Sequence, residues 1–168
     1  FRNKCKNDYL EYLNRSIDEC PYYFKIKYEE QILNVKKIKF ESNKTFDNLF
    51  FDKKNELLRN IDIFLNNKNI YDKIGKSWTL GILLHGEPGC GKTSFIKALL
   101  NYINSNDKTS THCISMNFSN LEQLEDLFIN EFMGDYKIPF QNRVYICEDI
   151  DCGEWKNIIK QRDDENNN

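Results

Sequence analysis

Leu80-Gly81-Ile82-Leu83-Leu84-His85-Gly86-Glu87-Pro88-Gly89-Cys90-Gly91-Lys92-Thr93-Ser94 decides how the rest of this chain is read. Leu80–Leu84 is an apolar run of strand length. It leads into Gly86–Thr93, which fits the phosphate-binding pattern G-x-x-x-x-G-K-[ST], and a helical pattern over Lys92–Tyr102 follows. Each residue type has a physical reason. Glycines let backbone N–H groups curl around a phosphate with no side chain in the way. The Lys92 ammonium adds charge for the β- and γ-phosphates, and the N-terminus of the following helix faces the anion. The Thr93 hydroxyl suits a Mg2+ ion held between protein and phosphate.

A site of this kind needs a second, acidic element at the end of another strand, to hold Mg2+ and orient an attacking water. Val144-Tyr145-Ile146-Cys147-Glu148-Asp149 supplies it: an apolar strand ending in two carboxylates. Between the two motifs there is room for one helix, one strand and one helix.

Working outward, Cys5, Tyr9, Tyr12, Leu13, Ile17 and Cys20 recur mostly at three- and four-residue spacing, which predicts an amphipathic helix ending before Pro21. Tyr22–Lys27 and Ile32–Phe40 read as two strands joined by the polar Glu29-Glu30-Gln31. The character changes after Lys44, and a domain boundary is placed near residues 41–45. Phe46, Leu49 and Phe50 lead into a helix around Lys53–Leu65, then a short helix around Ile70–Ile74 closed by Gly75. Beyond the phosphate loop and its helix, residues 104–110 read as a loop and His112–Phe118 as a strand. Ser119-x-x-Glu122 is a capping box opening a helix that buries Leu121, Leu124, Leu127 and Phe128. Val144–Cys147 is a further strand, and Trp155–Ile159 reads as the start of another helix. Strands alternating with helices argue for an α/β fold with a mostly parallel sheet, preceded by a small α+β segment.

Composition bounds the function. The 168 residues suit one ordinary domain with an extension. Lysine plus arginine (24) nearly balances aspartate plus glutamate (26), and the net charge of −2 provides no field to steer nucleic acid. No apolar run approaches the ~18 residues of a bilayer span. The chain has 22 Asn, 19 Lys and 18 Ile but one alanine, Ala98, a bias towards A/T-rich codons of the kind found in parasites and large DNA viruses. It opens on Phe1 and closes on Asp163-Asp164-Glu165-Asn166-Asn167-Asn168, so the sequence is expected to be a piece of a longer protein, and the lack of a targeting segment proves little. Six cysteines (5, 20, 90, 113, 147, 152) show no C-x-x-C pair and no zinc spacing with His85 or His112. They are read as small hydrophobes in a reducing, intracellular compartment.

Gly86-x-Pro88-Gly89-x-Gly91-Lys92-Thr93 resembles the AAA branch of the P-loop ATPases. Thr45-Phe46-Asp47-Asn48-Leu49, the run Phe64-Leu65…Tyr71-x-x-Ile74-Gly75-Lys76-x-Trp78, Gly81-x-Leu83-Leu84-x-Gly86 and Glu148-Asp149-Ile150-Asp151-Cys152 resemble one AAA subfamily. That subfamily comprises the chaperones that help insert the Rieske protein into the mitochondrial cytochrome bc complex, with plant and viral relatives. The resemblance spans roughly residues 40–153. It implies a three-layer α/β/α P-loop NTPase core over 45–168, incomplete at the C-terminus, with 1–44 the end of a pre-ATPase domain. It also implies ATP with Mg2+, a homo-oligomeric ring acting on protein cargo, no direct nucleic-acid partner, and mitochondrial-membrane association in the family. The residues it implies at the nucleotide are Gly86, Glu87, Pro88, Gly89, Cys90, Gly91, Lys92, Thr93 and Ser94, with Asn48 and Leu49 at the base. Thr93 and Glu148 would hold Mg2+, and Asp149, with Glu148, would act in catalysis.

Two departures stand out. Most AAA proteins end the acidic strand in Asp-Glu, whereas here, as in the subfamily, the order is Glu148-Asp149, which leaves open which carboxylate polarises water. Glu87 replaces the usual proline and is expected to face outward, away from phosphate. The resembled fold also continues with another strand, arginine fingers and a helical lid. Only residues 154–168 follow the acidic motif, with Arg162 in a polar tail, so Leu80–Leu84 and Val144–Cys147 are expected to lack their shared central partner. Arg143 precedes its strand at the end away from the phosphates.

Other readings are weaker. Phe132-Met133-Gly134 could pass for an aromatic pore loop, but it follows the helix after the second strand, and a helix C-cap with Gly134 left-handed fits better. Asn117–Ser119 passes from strand to helix with no aromatic loop. Trp78 reads as a packing residue. His85 has no nucleophile partner that would make a hydrolase. Two functions from different classes remain: an ATP-hydrolysing chaperone or translocase, and a non-hydrolysing nucleotide-binding or interaction module. A DNA-handling AAA ATPase is disfavoured by the neutral charge.

Overall fold

The computed structural model of the chain describes residues 4–6, 8–12, 20–29, 32–106, 110–116 and 127–148. They fall into two compact units, residues 1–41 with 103–168, and residues 42–102. The division at 44/45 drawn from the sequence is a proposal about modules and stands beside these units.

In the first unit the backbone is helical at 4–6 and 8–12; of the helix expected over Cys5–Cys20, residues 7 and 13–19 lie outside the described residues, and Cys20 is a bend and not helical. Strands β1 (Tyr22–Glu29) and β2 (Ile32–Lys39) pair antiparallel from Tyr22↔Lys39 to Glu29↔Ile32, so β1 runs two residues past its expected end at Lys27. β1 also pairs in parallel with β3 (His112–Met116), and β3 in parallel with β6 (Arg143–Cys147), giving the sheet order β2-β1-β3-β6. The register Phe24↔Ile114↔Tyr145 puts these three on one face, because side chains alternate along a strand. That face carries the unit's core: Phe24, Ile26, Ile114, Met116, Leu127, Met133 and Ile138, all buried. Each such side chain contributes about 1.5–3 kcal/mol.

Between β3 and β6 the structure corrects two expectations. The described part of the helix after Ser119 is residues 127–129; Leu127 is buried but Phe128 is half exposed. Gly134 has the expected left-handed backbone (φ 59°), yet it does not cap a helix. It sits in the two-residue turn of a hairpin formed by β4 (Phe132–Met133) and β5 (Tyr136–Lys137). Positive φ at the first central position alone is the type II′ pattern, which glycine adopts without strain. The aromatic of a would-be pore loop is therefore a hairpin residue.

The second unit is built around α3 (Lys92–Asn106), which outruns its expected end at Tyr102 and takes over the start of the predicted 104–110 loop. Phe95 and Ala98 from α3 pack with Phe46, ringed by Leu49, Leu57, Leu58, Leu84, Leu99 and Tyr102. The chain's one alanine is fully buried here, where a larger side chain would collide with the Phe46–Phe95 pair, whose centroids lie 5.5 Å apart. Helices α1 (Lys54–Asn66) and α2 (Lys68–Lys73) precede the loop. Gly75 (φ 65°) ends α2 in a Schellman motif, with Gly75 N–H donating to Asp72 O and Lys76 N–H to Tyr71 O. Trp78 packs as expected, stacked on Phe64 at 5.0 Å with its indole N–H donating to Phe64 O at 2.9 Å.

The main correction lies next to the loop. Leu80–Leu84 forms no strand. Leu84 alone reaches the core, while Leu80 and Ile82 are exposed and Leu83 is 78% exposed. A strand needs a neighbour's N–H and C=O groups, and no described strand offers them to this segment.

Candidate nucleotide site

Leu84, anchored in the second unit's core, and α3, whose first turn packs Phe95, hold the two ends of the phosphate loop. Between them three glycines take positive φ: Gly86 at 144°, Gly89 at 84° and Gly91 at 93°. Side-chain-bearing residues rarely adopt such angles. A Cβ at Gly86 would also come within 2.8 Å of Cys90 Sγ. The sequence pattern thus marks backbone requirements that are physically present. Phe95 N–H donates to Gly91 O at 2.9 Å, the first bond of α3, which leaves the earlier N–H groups of that turn without helical acceptors. The Lys92 ammonium lies across the loop, donating to Gly86 O at 2.7 Å and Glu87 O at 3.0 Å, with Cys90 Sγ at 3.8 Å. Glu87 and Pro88 are exposed, and only the Glu87 carbonyl turns to Lys92. Thr93 is exposed and Ser94 half-buried on the same first turn. A loop that only glycine can follow, a cation held at its mouth and free helix N–H groups are what a polyphosphate fits.

Asn48 and Leu49 belong to the segment that enters this unit. The Asn48 side chain is engaged locally: its oxygen accepts from Thr45 N–H at 3.2 Å and its NH2 donates to Asn43 O. Leu49 is half-buried in the core, and its carbonyl accepts from the Lys54 ammonium at 3.1 Å, as does Phe46 O at 2.9 Å. Lys54 was not singled out in the sequence; nothing short of this contact distinguishes it from eighteen other lysines.

The acidic half is carried by the first unit. Glu148 directly follows β6 and is exposed; Asp149 lies outside the described residues. The loop and Glu148 are thus described in separate units, each on its own. Among the described residues no group of three or more His, Cys, Asp or Glu could hold a metal. Burial, and next the Glu148 charge, push the Cys113 thiol far above its ordinary range, so it stays a small hydrophobe. Cys5, Cys90 and Cys147 are exposed, however, which corrects the expectation that all the cysteines are packed away. Cys152 lies outside the described residues.

Arg143 opens β6 at the end opposite Glu148, roughly 16 Å away for five residues of strand. It is buried. Its guanidinium donates to Ile138 O, Leu127 O, Asn130 O and the Tyr145 hydroxyl, and lies over the Phe140 ring at 4.6 Å. All of these partners lie in its own unit.

Residues 82–148 match the ATPase family associated with various cellular activities (AAA). The chain is similar to AAA-ATPase At3g28600 of Arabidopsis thaliana, 33% identical over 137 residues, covering 76% of this chain and 26% of the relative. It is 28% identical over 159 residues to AAA-ATPase At1g43910 of the same plant, covering 91% and 31%. It is 36% identical over 116 residues to AAA-ATPase At3g28570, mitochondrial, covering 67% and 23%. The chain thus spans about a quarter to a third of the length of these relatives. The match and the mostly parallel sheet with its helices agree on the α/β P-loop NTPase class. No helix among the described residues is long and apolar enough to cross a membrane.

Proposed function

We propose, starting from the AAA match of residues 82–148, that this chain is part of an ATP-hydrolysing subunit that binds MgATP on Gly86–Ser94. One observation carries the reading: three positive-φ glycines wrap the mouth of α3 while Lys92 is held across it by Gly86 O and Glu87 O. Lys92 would neutralise the β- and γ-phosphates and Thr93 would hold Mg2+. Glu148 and Asp149 would complete the cation site and polarise the attacking water, with Asn48 and Leu49 near the base. Magnesium, once bound, would draw charge from the γ-phosphate. The stretches from Thr45 to Trp78 and Glu148 to Cys152 support the finer reading, a ring-forming protein chaperone or translocase of the Rieske-assembly type. A relative named mitochondrial supports a mitochondrial setting. Titration with a fluorescent ATP analogue tests the site. Lys92→Ala should abolish measurable binding, because charge-assisted hydrogen bonds are worth ~1.5–3 kcal/mol each; equal affinities would sink the assignment.

A second reading, nucleotide binding without hydrolysis by these 168 residues, is favoured by two observations. Leu80–Leu84 lies outside any strand, and the Arg143 guanidinium is taken up by carbonyls of its own unit. Loosened positioning costs heavily, and an arginine finger is worth ~10³–10⁵ in rate. Phosphate release by residues 1–168 alone should equal background. Lys92-dependent turnover at ordinary AAA rates would exclude this reading.

A further inference from the structure

We infer that the edge strand β2 and the lysine face beside it form a docking surface for an acidic, extended polypeptide segment, which joins the sheet as a further strand. The inference goes beyond the ATPase reading and does not depend on it. Strands β1 and β2 carry five lysines against one glutamate, Glu29 at the turn end, in a chain whose net charge is −2. Positive charge is therefore gathered here. The register pairs Tyr23 with Ile38, Lys25 with Lys36 and Lys27 with Asn34, on the sheet face opposite Phe24 and Ile26. Lys25 and Lys36 stand directly opposite each other, a like-charge pair that costs stability, and Lys27 is the diagonal neighbour of Lys36. All three are exposed, and none forms an ion pair with a described residue. Across the same face β3 and β6 place Cys113, Ser115, Val144 and Ile146, which bring no counter-charge. Glu148 follows β6, two strands from β1 and about 10 Å across the sheet. The hairpin's other two lysines are engaged: Lys37 lies 4.0 Å over the Tyr22 ring and Lys39 meets Glu41 at 2.8 Å.

The edge supplies the second half of the surface. β2 is the last strand of its sheet, eight residues long, in unbroken register with β1 and free of proline. No described strand pairs with its outer side, so backbone N–H and C=O groups there are a template for strand addition. Lysines on such an edge repel a basic strand and favour an acidic one. On its other face β2 places the half-buried Leu33 and Val35 against the core. Side chains of an added strand alternate, so the fitting partner has acids on the lysine face and apolar residues beside Leu33 and Val35. A phosphate polyanion would use the charge alone; a polypeptide uses both the charge and the edge.

The test is fluorescence anisotropy on the full-length protein with a labelled peptide of alternating glutamate and valine, matched in length to the eight residues of β2. Binding should be saturable and should weaken as salt is raised. A peptide with lysine in place of glutamate, and one with a proline at its centre, should not bind measurably. Lys25→Ala, Lys27→Ala and Lys36→Ala should each weaken binding about two- to fivefold, the scale of an exposed ion pair. Replacing all three together, Lys25→Glu with Lys27→Glu and Lys36→Glu, should reverse the preference, so that the lysine–valine peptide binds. The peptide controls need no variant, so they decide even where a variant does not fold. Absence of saturable binding, equal affinity for the glutamate and lysine peptides, or equal affinity of wild type and the folded triple variant would overturn the inference. Capture of phosphatidylserine vesicles or oligothymidine without the glutamate–valine peptide would also overturn it and assign the lysine face to a phosphate polyanion. None of these outcomes touches the Lys92 test of the ATPase reading.

Discussion

Leu80–Leu84 and Arg143–Cys147 are two apolar segments of the same length, each leading directly into chemistry-bearing residues, and they end up in different states. The second is a strand, bonded along its length to β3, with Ile146 buried on one face and Tyr145 packed on the other. The first makes no strand, and Leu83 faces solvent. Composition does not separate them, since leucine and isoleucine dominate one and valine, tyrosine and isoleucine the other. What separates them is a partner. A strand is stabilised by its ladder and by side chains across it, and its intrinsic preference is worth about 1 kcal/mol at most. β6 has β3 on one side and, at its start, Arg143 tying Leu127, Asn130 and Ile138 to the strand. Among the described residues no strand pairs with Leu80–Leu84, and Leu84 is its side chain packed on the Phe46 cluster.

The largest expected effect comes from attacking the strand that is formed. Ile146→Asp would place an unpaired carboxylate where Ile146 is 7% exposed, and should cost about 4 kcal/mol or more. That is comparable to the whole stability of a small domain. Ile146→Val, costing about 0.5–1.5 kcal/mol, keeps the measurement within range if the aspartate variant does not fold. Urea unfolding followed by circular dichroism reads both. A loss under 1 kcal/mol for the aspartate would mean that β6 is not packed in solution as described.

A smaller effect tests the other side of the same sheet. His112 is buried beside β1, accepting the Tyr22 N–H on Nδ1 at 3.2 Å, with the Tyr22 and Phe24 rings against it. Burial first, and the nearby Lys37 charge second, lower its pKa from 6.5 to about 4. The folded state therefore binds this proton less readily than the unfolded chain. Its full contribution is present above pH 6.5 and is lost as pH falls from 6.5 towards about 4. The loss should total about 3 kcal/mol. His112→Gln, which retains an acceptor but does not titrate, should flatten that part of the pH profile. A profile unchanged by the substitution would show that His112 is not held neutral in the sheet.

The same contrast explains what could be read from the residues alone. The phosphate loop was legible because each position has a backbone or charge requirement that few residue types meet: Gly86, Gly89 and Gly91 do adopt positive φ, and Lys92 does lie across the loop. The α/β class, both hairpin strands and the strand ending in Glu148 were legible from periodicity, which is local. Gly134 was legible in its backbone angle but not in its setting, since a helix C-cap and a type II′ turn both call for positive φ. The parallel pairing of β1 with β3 was not legible, because residues some ninety positions apart meet without any local signal. Arg143 was legible in its place, before its strand at the end away from the phosphates, but the carbonyls that hold it were not. Leu80–Leu84 was misread for the reason already given: a strand's state depends on a neighbour that its own five residues cannot specify.

The smallest expected effect is the most direct test of that point. Leu83→Asp in the 168-residue chain should change stability by no more than about 0.5 kcal/mol, because Leu83 is 78% exposed and a solvated carboxylate there meets no burial cost. Loss of a leucine already in water removes little, and the neighbouring Leu84, which does reach the core, is untouched. The identical substitution made in a longer chain that supplies a strand beside Leu80–Leu84 should behave differently. Pairing would bury the face that Leu83 presents, and the cost should rise towards that of Ile146→Asp. Unfolding measurements on both chains, side by side, separate the two states of one sequence. A loss above about 2 kcal/mol in the 168-residue chain would mean that the segment already has its partner in solution. The difference between the two apolar segments would then be one of degree, and the site beside Gly86 would be firmer than described.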